Sequence, residues 1–428
     1  MSDGGTATRV AVVGAGYVGL TTAACLAHLG HDVTCGDVDE QRVAALADGV
    51  IPIHEEGLQE LVRDGLDAGR LRFVVGAGPA ADGAAFVFLC VPTPQGEDGS
   101  ADMRIVQEVA AEIGPRLGQD AVVVNKSTAP VGSTRVVERA LGRRLAVVSN
   151  PEFLREGSAV HDFLHPSRIV IGADDQAAAI RVVDLFDGVR APVVVTDPPT
   201  AETIKYASNA FLATKVSFVN AIANVCEAVG ANVREVTLGM GYDRRINSEF
   251  LRPGPGWGGS CFPKDSAALV RIAEDAGYDF RLLKGVIEVN AQQQERVVAK
   301  VVRAAGGSVR GKRVAAWGLT FKAGTDDLRE SPALVVIGRL ADAGATVAAY
   351  DPTRKEPLPG MEVVADPYDA CEAADVLVVL TEWDEFRWLD LGIVRSRMAA
   401  AHIVDTRGLI EPAAARRAGF ALSGIGLP

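Results

Sequence analysis

The sequence predicts an α/β protein with two parallel-sheet domains joined by a long central helix. Short apolar runs alternate with amphipathic stretches over residues 8–150. The same rhythm returns after Gly311. Between them, the stretch from Ala201 to about Val229 holds no proline and meets its first glycine only at Gly230. Strand–helix alternation implies a parallel sheet wrapped by helices.

In the first region the candidate strands are Arg9–Val13, Asp32–Gly36, Ala85–Cys90, Ala121–Lys126 and Leu145–Ser149. In the last they are Arg313–Trp317, Thr346–Tyr350, Val376–Leu380 and His402–Asp405. In the middle, Ile204, Phe211, Val219 and Ile222 recur at helical spacing. That helix would be about 40 Å long, enough to bridge two domains. A spare apolar stripe on it would pair with a second copy and predicts a homodimer; the bland alternative is an ordinary core helix. The expected domains are residues 1–200, 201–300 and 301–428, with no internal repeat beyond the α/β rhythm.

The chain has 428 residues, 48% of them hydrophobic, so each domain can bury an ordinary core. Its net charge of -12, without a Lys/Arg cluster, argues against nucleic acid and anionic membrane as partners. No run of about 18 apolar residues predicts a membrane span. The first apolar run, Arg9 to Leu20, is broken by Gly14, Gly16 and Gly19 and lacks the basic start of a signal peptide. Six cysteines lie scattered without a CxxC pair, which points to reduced thiols and a cytoplasmic location.

Gly14-Ala-Gly16-Tyr17-Val18-Gly19 follows the strand Arg9–Val13 and opens a helix. The first glycine permits a tight turn, the second lets a pyrophosphate approach, and the third lets helix and strand pack. Asp37 ends the next strand, placed to accept hydrogen bonds from a ribose and to repel a 2′-phosphate. The expectation is a Rossmann-like domain that binds NAD rather than NADP. Two further loops, Cys90-Val-Pro-Thr-Pro94 and Lys126-Ser-Thr128-Ala-Pro-Val-Gly132, follow strands and face the ligand side of an open sheet. Taken singly, each is equally a proline-stiffened turn, and Lys126 equally a solvated lysine.

Glu152 and Glu156, beside Arg155, are spaced to share one face of a helical turn. They suit acid/base work, or a plain surface charge cluster. Lys205 and Asn209 repeat the spacing on the central helix and suit the holding of a developing oxyanion, unless the lysine snorkels to solvent. His161 and His165 share it too, but no third ligand stands nearby, so no metal is expected.

The most informative stretch runs from Phe250 to Asp265. Gly254, Gly256, Gly258 and Gly259 give a backbone able to wrap a ligand closely. Pro263 suits the first turn of a helix continuing through Leu269 and Ile272. Cys261 then stands just before a helix N-terminus with Lys264 close by, and both influences stabilise a thiolate. A nucleophilic cysteine beside an NAD site predicts aldehyde oxidation through a thiohemiacetal and a thioester, which water hydrolyses. The bland alternative is a buried cysteine at a loop–helix junction.

Together these residues resemble the UDP-glucose/GDP-mannose dehydrogenase family over nearly the whole chain. The resemblance rests on GAGYVG at 14–19, VPTP at 91–94, KSTAPVGS at 126–133 and NPEFLREGSAVHDFLHPSRIVIG at 150–172. The Lys205/Asn209 helix, GGSCFPKD at 258–265 and GLTFKAGTDDLRES at 318–331 complete it. It implies oxidation of the C6 alcohol of a nucleotide sugar to a carboxylate, reducing two NAD in succession. Cys261 would be the nucleophile, Asp265 would assist proton transfer, and Lys205 and Asn209 would hold the C6 oxygen. Glu152 would activate water and Thr128 would help place it.

On the NAD side the resemblance implies Gly14, Gly16, Tyr17, Val18, Gly19, Asp37, Arg42, Thr93, Thr128, Glu156, Lys264 and Arg329. On the sugar side it implies Glu152, Phe153, Leu154, Lys205, Asn209, Arg245, Phe250, Gly258, Lys322 and Arg407. Family members often have Asp where this chain has Ser167, and Tyr or Phe where it has Trp257, which bears on pocket shape. The Phe262-Pro-Lys run favours UDP-glucose over GDP-mannose, by analogy. Alternative readings are a dehydrogenase of GDP-mannose or a UDP-N-acetylamino sugar, a two-electron β-hydroxyacid-type dehydrogenase, and a silent NAD-binding regulator.

Overall fold

A computed structural model describes residues 7–94, 96 and 101–427. The chain divides into two units, residues 1–208 and 209–428, each built on one sheet. The eight strands of the first are β1 (Arg9–Val13), β2 (Asp32–Asp37), β3 (Leu71–Val75), β4 (Phe86–Leu89), β5 (Val122–Asn125), β6 (Ala146–Ser149), β7 (Ile169–Gly172) and β8 (Val193–Thr196). They lie in the order β3-β2-β1-β4-β5-β6-β7-β8. The pairs from β3 through β6 are parallel, β6 meets β7 antiparallel at one position, and β7–β8 is parallel. Strands covered on both faces read as unbroken apolar runs, and all four residues of β4 and of β5 are buried. The edge strand β8 leaves Val193, Val194 and Val195 exposed.

The second sheet has six strands: β9 (Arg313–Trp317), β10 (Thr346–Tyr350), β11 (Glu362–Val363), β12 (Val376–Val379), β13 (His402–Asp405) and β14 (Ala421–Gly424). Their order is β11-β10-β9-β12-β13-β14, all parallel. Counted from its own first strand, this is the order of β3 through β6 in the first sheet, so the chain does repeat a topology. The sequence rhythm hints at the repeat, but without shared motifs it stays hidden.

Four expected strands, at Arg9, Arg313, Thr346 and His402, have the bounds anticipated; the others differ by a residue or two. β3, β7, β8, β11 and β14 were not anticipated. Leu71–Val75 and Val193–Thr196 sit at or near sheet edges and are partly exposed, so their pattern is a weak signal.

The central helix is longer than expected, Pro198–Val229, because Pro198 and Pro199 occupy its first turn, where a missing N–H costs nothing. Its 32 residues span about 48 Å. By length and composition it is apolar enough to cross a membrane, contrary to expectation. Its inner face, however, is polar and bonded within the protein. Glu202, Lys205, Asn209, Ser217 and Asn220 are all buried, and each has its side chain hydrogen-bonded to the protein. Ile204 and Ile222 are half-buried and Phe211 is exposed, so the expected apolar face is only partly the buried one.

Candidate active site

In the first unit the turn after β1 has the form expected of a dinucleotide cradle. Gly14 takes φ +99, and a Cβ there would lie 2.6 Å from the Cys90 carbonyl oxygen. A Cβ on Gly19 would lie 1.8 Å from the Gly14 oxygen. Nothing lies within 4 Å of the Cβ position of Gly16, which caps the helix Tyr17–His28 without a side chain. The helix start is therefore open to an anion. Asp37 accepts from the Ala15 N–H at 2.7 Å and the Asp39 N–H at 3.0 Å, and pairs with Arg42 at 3.3 Å. It thus holds the glycine turn, and its Oδ1 keeps a lone pair for a ribose hydroxyl. These residues fit NAD. The Tyr17 hydroxyl, however, is bound to Glu55, not directed to the cofactor by anything in its contacts.

The loops after β4, β5 and β6 are tied together. Thr93 Oγ1 donates to the Thr128 carbonyl at 2.6 Å, and Ser127 Oγ to that of Val91 at 2.7 Å. Lys126 is not a solvated lysine. It is buried and donates to Asn150 Oδ1 at 3.0 Å, and burial lowers its pKa below the ordinary lysine value.

Glu152 and Glu156 do not share a helical turn, because Asn150-Pro151 continues β6 into an irregular loop and the next helix starts only at Ala159. Glu152 is buried and receives a hydrogen bond from Lys205 Nζ at 2.6 Å. Its burial alone would raise the pKa. The Lys205 charge and hydrogen bond, with the Leu154 N–H and Lys126, outweigh that and hold the carboxyl below its ordinary range. Glu152 is therefore present as the base form. Phe153 lies between two cations, with Arg168 3.5 Å and Lys205 Nζ 5.5 Å from its ring centre.

In the second unit Cys261 is the N-cap of the helix Phe262–Asp275, with Pro263 in its first turn. It is the one cysteine of six that is not buried. Ser260 Oγ lies 3.6 Å from its sulfur. One turn into the helix, Asp265 is fully buried and accepts from Asn209 Nδ2 at 2.6 Å. Lys264 Nζ stands 3.0 Å from Asp265 Oδ1, within pairing distance but off the angle of a hydrogen bond. A buried carboxylate flanked by an amide and an ammonium can take or relay a proton. Lys205 and Asn209 lie one turn apart on the central helix, so each unit contributes one hydrogen-bonded pair from that helix.

The glycine-rich loop corrects one expectation. A Cβ on Gly258 would lie 1.9 Å from the Glu330 oxygen, one on Gly259 2.7 Å from the Phe321 ring, and one on Gly256 2.7 Å from Asn290 Oδ1. These glycines are required by the chain's own packing. Trp257 is likewise buried among Ala210, Ala213, Leu283 and Val286, its Nε1 donating to Ser217 Oγ at 2.9 Å, so its size bears on the core. Phe250 adopts φ +61, and its ring lies tilted against that of Phe262 with the centres 6.3 Å apart.

Lys322 Nζ lies 5.7 Å from the Phe321 ring, while Arg407 donates to the Leu380 carbonyl at 2.8 Å and pairs with Glu382 at 2.9 Å. These cations follow β9 and β13, at the carboxyl ends where an open sheet binds ligands. Arg245 and Arg329 are exposed and each chelated by a near neighbour, Asp243 and Asp327. The rings of His161 and His165 are 5.0 Å apart.

Sequence reading missed the residues that hold these loops. Glu202 receives Gly132 N, Thr134 N and the Ser133 and Thr134 hydroxyls, all within 2.9 Å, fastening the Thr128 loop to the central helix. Asn290 exchanges two hydrogen bonds with the Trp257 backbone, 2.8 and 3.0 Å, while Asn220 and Gln293 hold Gly254. Their only signal was a polar residue on the buried face of a helix.

The fold and these two half-sites define a dehydrogenase of the double-Rossmann class with a cysteine at a helix start. The chain belongs to the UDP-glucose/GDP-mannose dehydrogenase family. It matches that family's NAD binding domain over residues 8–190, its central domain over 199–292 and its UDP binding domain over 315–412. A UDP-glucose 6-dehydrogenase of Rhizobium meliloti is 45% identical over 435 residues, covering 98% of this chain and 100% of the relative. One from Pseudomonas aeruginosa is 45% identical over 446 residues, covering 98% of each. A solved UDP-glucose dehydrogenase from Pyrobaculum islandicum is 36% identical, with a TM-score of 0.92 and 100% of both chains covered.

Proposed function

We propose that the chain oxidises UDP-glucose at C6 to UDP-glucuronate, with two NAD reduced per sugar. The observation that carries this reading is the half-buried Cys261 at a helix start, one turn from the buried Asn209–Asp265 pair. Gly14, Gly16 and Asp37 of the first unit would hold NAD, which would supply the hydride acceptor for each C6–H bond that breaks. Lys205 and Asn209 hold the C6 oxygen as it gains negative charge, and Asp265, bonded to Asn209, receives or relays its proton. The Cys261 sulfur adds to the aldehyde carbon, so that the second oxidation leaves a thioester rather than a free aldehyde. Glu152, held as carboxylate by Lys205, takes a proton from the water that opens the thioester, and Cys261 is released. Lys322 and Arg407 supply positive charge for the diphosphate.

Counting NADH against a limiting amount of UDP-glucose tests this. Two NADH per sugar are expected, and one would sink it. A parallel panel of GDP-mannose and UDP-N-acetylamino sugars should give turnover at least about tenfold slower.

A homodimer is part of the same reading. Phe211, Phe218, Val225 and Val229 remain 50–69% exposed along one side of the central helix, an apolar stripe suited to a second copy. Phe218→Asp should yield a monomer by light scattering; an unchanged mass would exclude this face. A cytoplasmic location accords with six cysteines that form no disulfide.

A further inference from the structure

Glu55 is a buried carboxylate with no cationic partner among the described residues. Its oxygens instead receive the Tyr17 hydroxyl, the Gly157 N–H at 2.7 Å and the Ala159 N–H at 2.6 Å. Burying an ion without a counter-ion is costly, so a side chain kept there has its energy in those bonds. Two of the donors stand at the start of the helix Ala159–Leu164, where a carboxylate also meets the positive end of the helix dipole. The third, Tyr17, is the first residue of the helix whose open N-terminus fits the pyrophosphate. Tyr17 also donates to the Arg155 carbonyl at 3.1 Å. Burial, then Glu55, push the Tyr17 phenol well above its ordinary pKa, so it stays a donor.

We infer that Glu55 is a positioning residue that joins the dinucleotide turn to the loop of residues 150–158, so that NAD binding orders that loop. It has no contact with the reacting atoms. The loop carries Glu152, Phe153 and Leu154, so the consequence for the sugar rests on the function proposed above. The link to NAD does not. Seating a pyrophosphate on the helix start restrains Tyr17. Through one carboxylate, that restraint reaches Gly157 and Ala159, at the far end of the loop from the Lys205–Glu152 anchor.

Hydrogen exchange on the full chain tests the link without turnover. Saturating NAD should slow exchange of the amides of Gly157 and Ala159 several-fold in the wild type, and leave them unchanged in Tyr17→Phe. Equal slowing in both proteins, or none in the wild type, overturns the inference. Kinetics give the second arm. Tyr17→Phe removes the phenol proton that Glu55 and the Arg155 carbonyl share, and at unchanged Tm it should raise KM for UDP-glucose as well as for NAD, each about 3- to 10-fold. Glu55→Gln should do the same, with the double variant no worse than either single one. A change in KM for NAD alone, or a loss of Tm with kinetic constants intact, would mean a merely structural carboxylate. A wild type that shows the NAD-dependent slowing but makes no NADH from UDP-glucose refutes the proposed substrate and leaves the link standing.

Discussion

The two sheets begin alike and end differently. After β1, Gly14 takes φ +99 and donates to the Gly36 carbonyl at 2.7 Å; after β9, Gly318 takes φ +96 and donates to that of Tyr350 at 2.8 Å. The next residue's N–H, from Ala15 or Leu319, goes to an acid at the end of the second strand or just past it, Asp37 or Asp351. From there they part. The segment after Gly14 enters a helix at Tyr17, and the one after Gly318 runs as a loop until Pro332. Ser331 caps that later helix with its own side chain, whereas Gly16 leaves the earlier one open. Asp351 is sealed, taking hydrogen bonds from Leu319, Thr320, Thr353 and Trp383, and cannot face a ribose. Topology supplies a crevice at each switch point. The residues after the glycine decide whether it becomes a helix-borne anion site or a cationic loop with Lys322.

The largest effect belongs to Cys261, which is outside the NAD turn. Cys261→Ser should lower turnover to acid by at least about 10³-fold, roughly 4 kcal/mol in barrier, with NAD affinity intact by fluorescence titration. An equal loss of both would contradict the division of labour. Next comes the pair of acids. Asp351→Ala leaves several buried donors unmet and should destabilise the protein by about 3 kcal/mol. Asp37→Ala should cost about 1 kcal/mol of stability while weakening NAD; equal unfolding midpoints would remove the asymmetry.

The smallest effect is in acid. The folded-state pKa of Glu152 lies below its ordinary 4.5. Its stabilising contribution is therefore complete above that value and is lost as pH falls through the folded one. Glu152→Gln should make the acid limb of a pH–stability curve shallower, and a limb of unchanged slope would remove Glu152 from it.

Much of this was legible in the sequence because the residues concerned act locally. Gly14 needs a positive φ and Pro263 a helix start, and each sits where its own backbone requires it. Glu152 was misread for the opposite reason. Spacing suggested a helical turn with Glu156, but its partner is Lys205, 53 residues away. The glycines before Cys261 were seen correctly as unusual, but their cause was not, since the atoms they avoid belong to Asn290, Phe321 and Glu330. Glu55 and Glu202 left no local trace, because a carboxylate is recognised as buried only once the chain has folded around it.

The sequence by itself determined the turns, the helix starts and the family, since these follow from backbone preferences of single residues and from motifs in order. Only the tertiary structure decided which carboxylates are charged, buried and paired, because desolvation and hydrogen bonding depend on neighbours brought from distant parts of the chain.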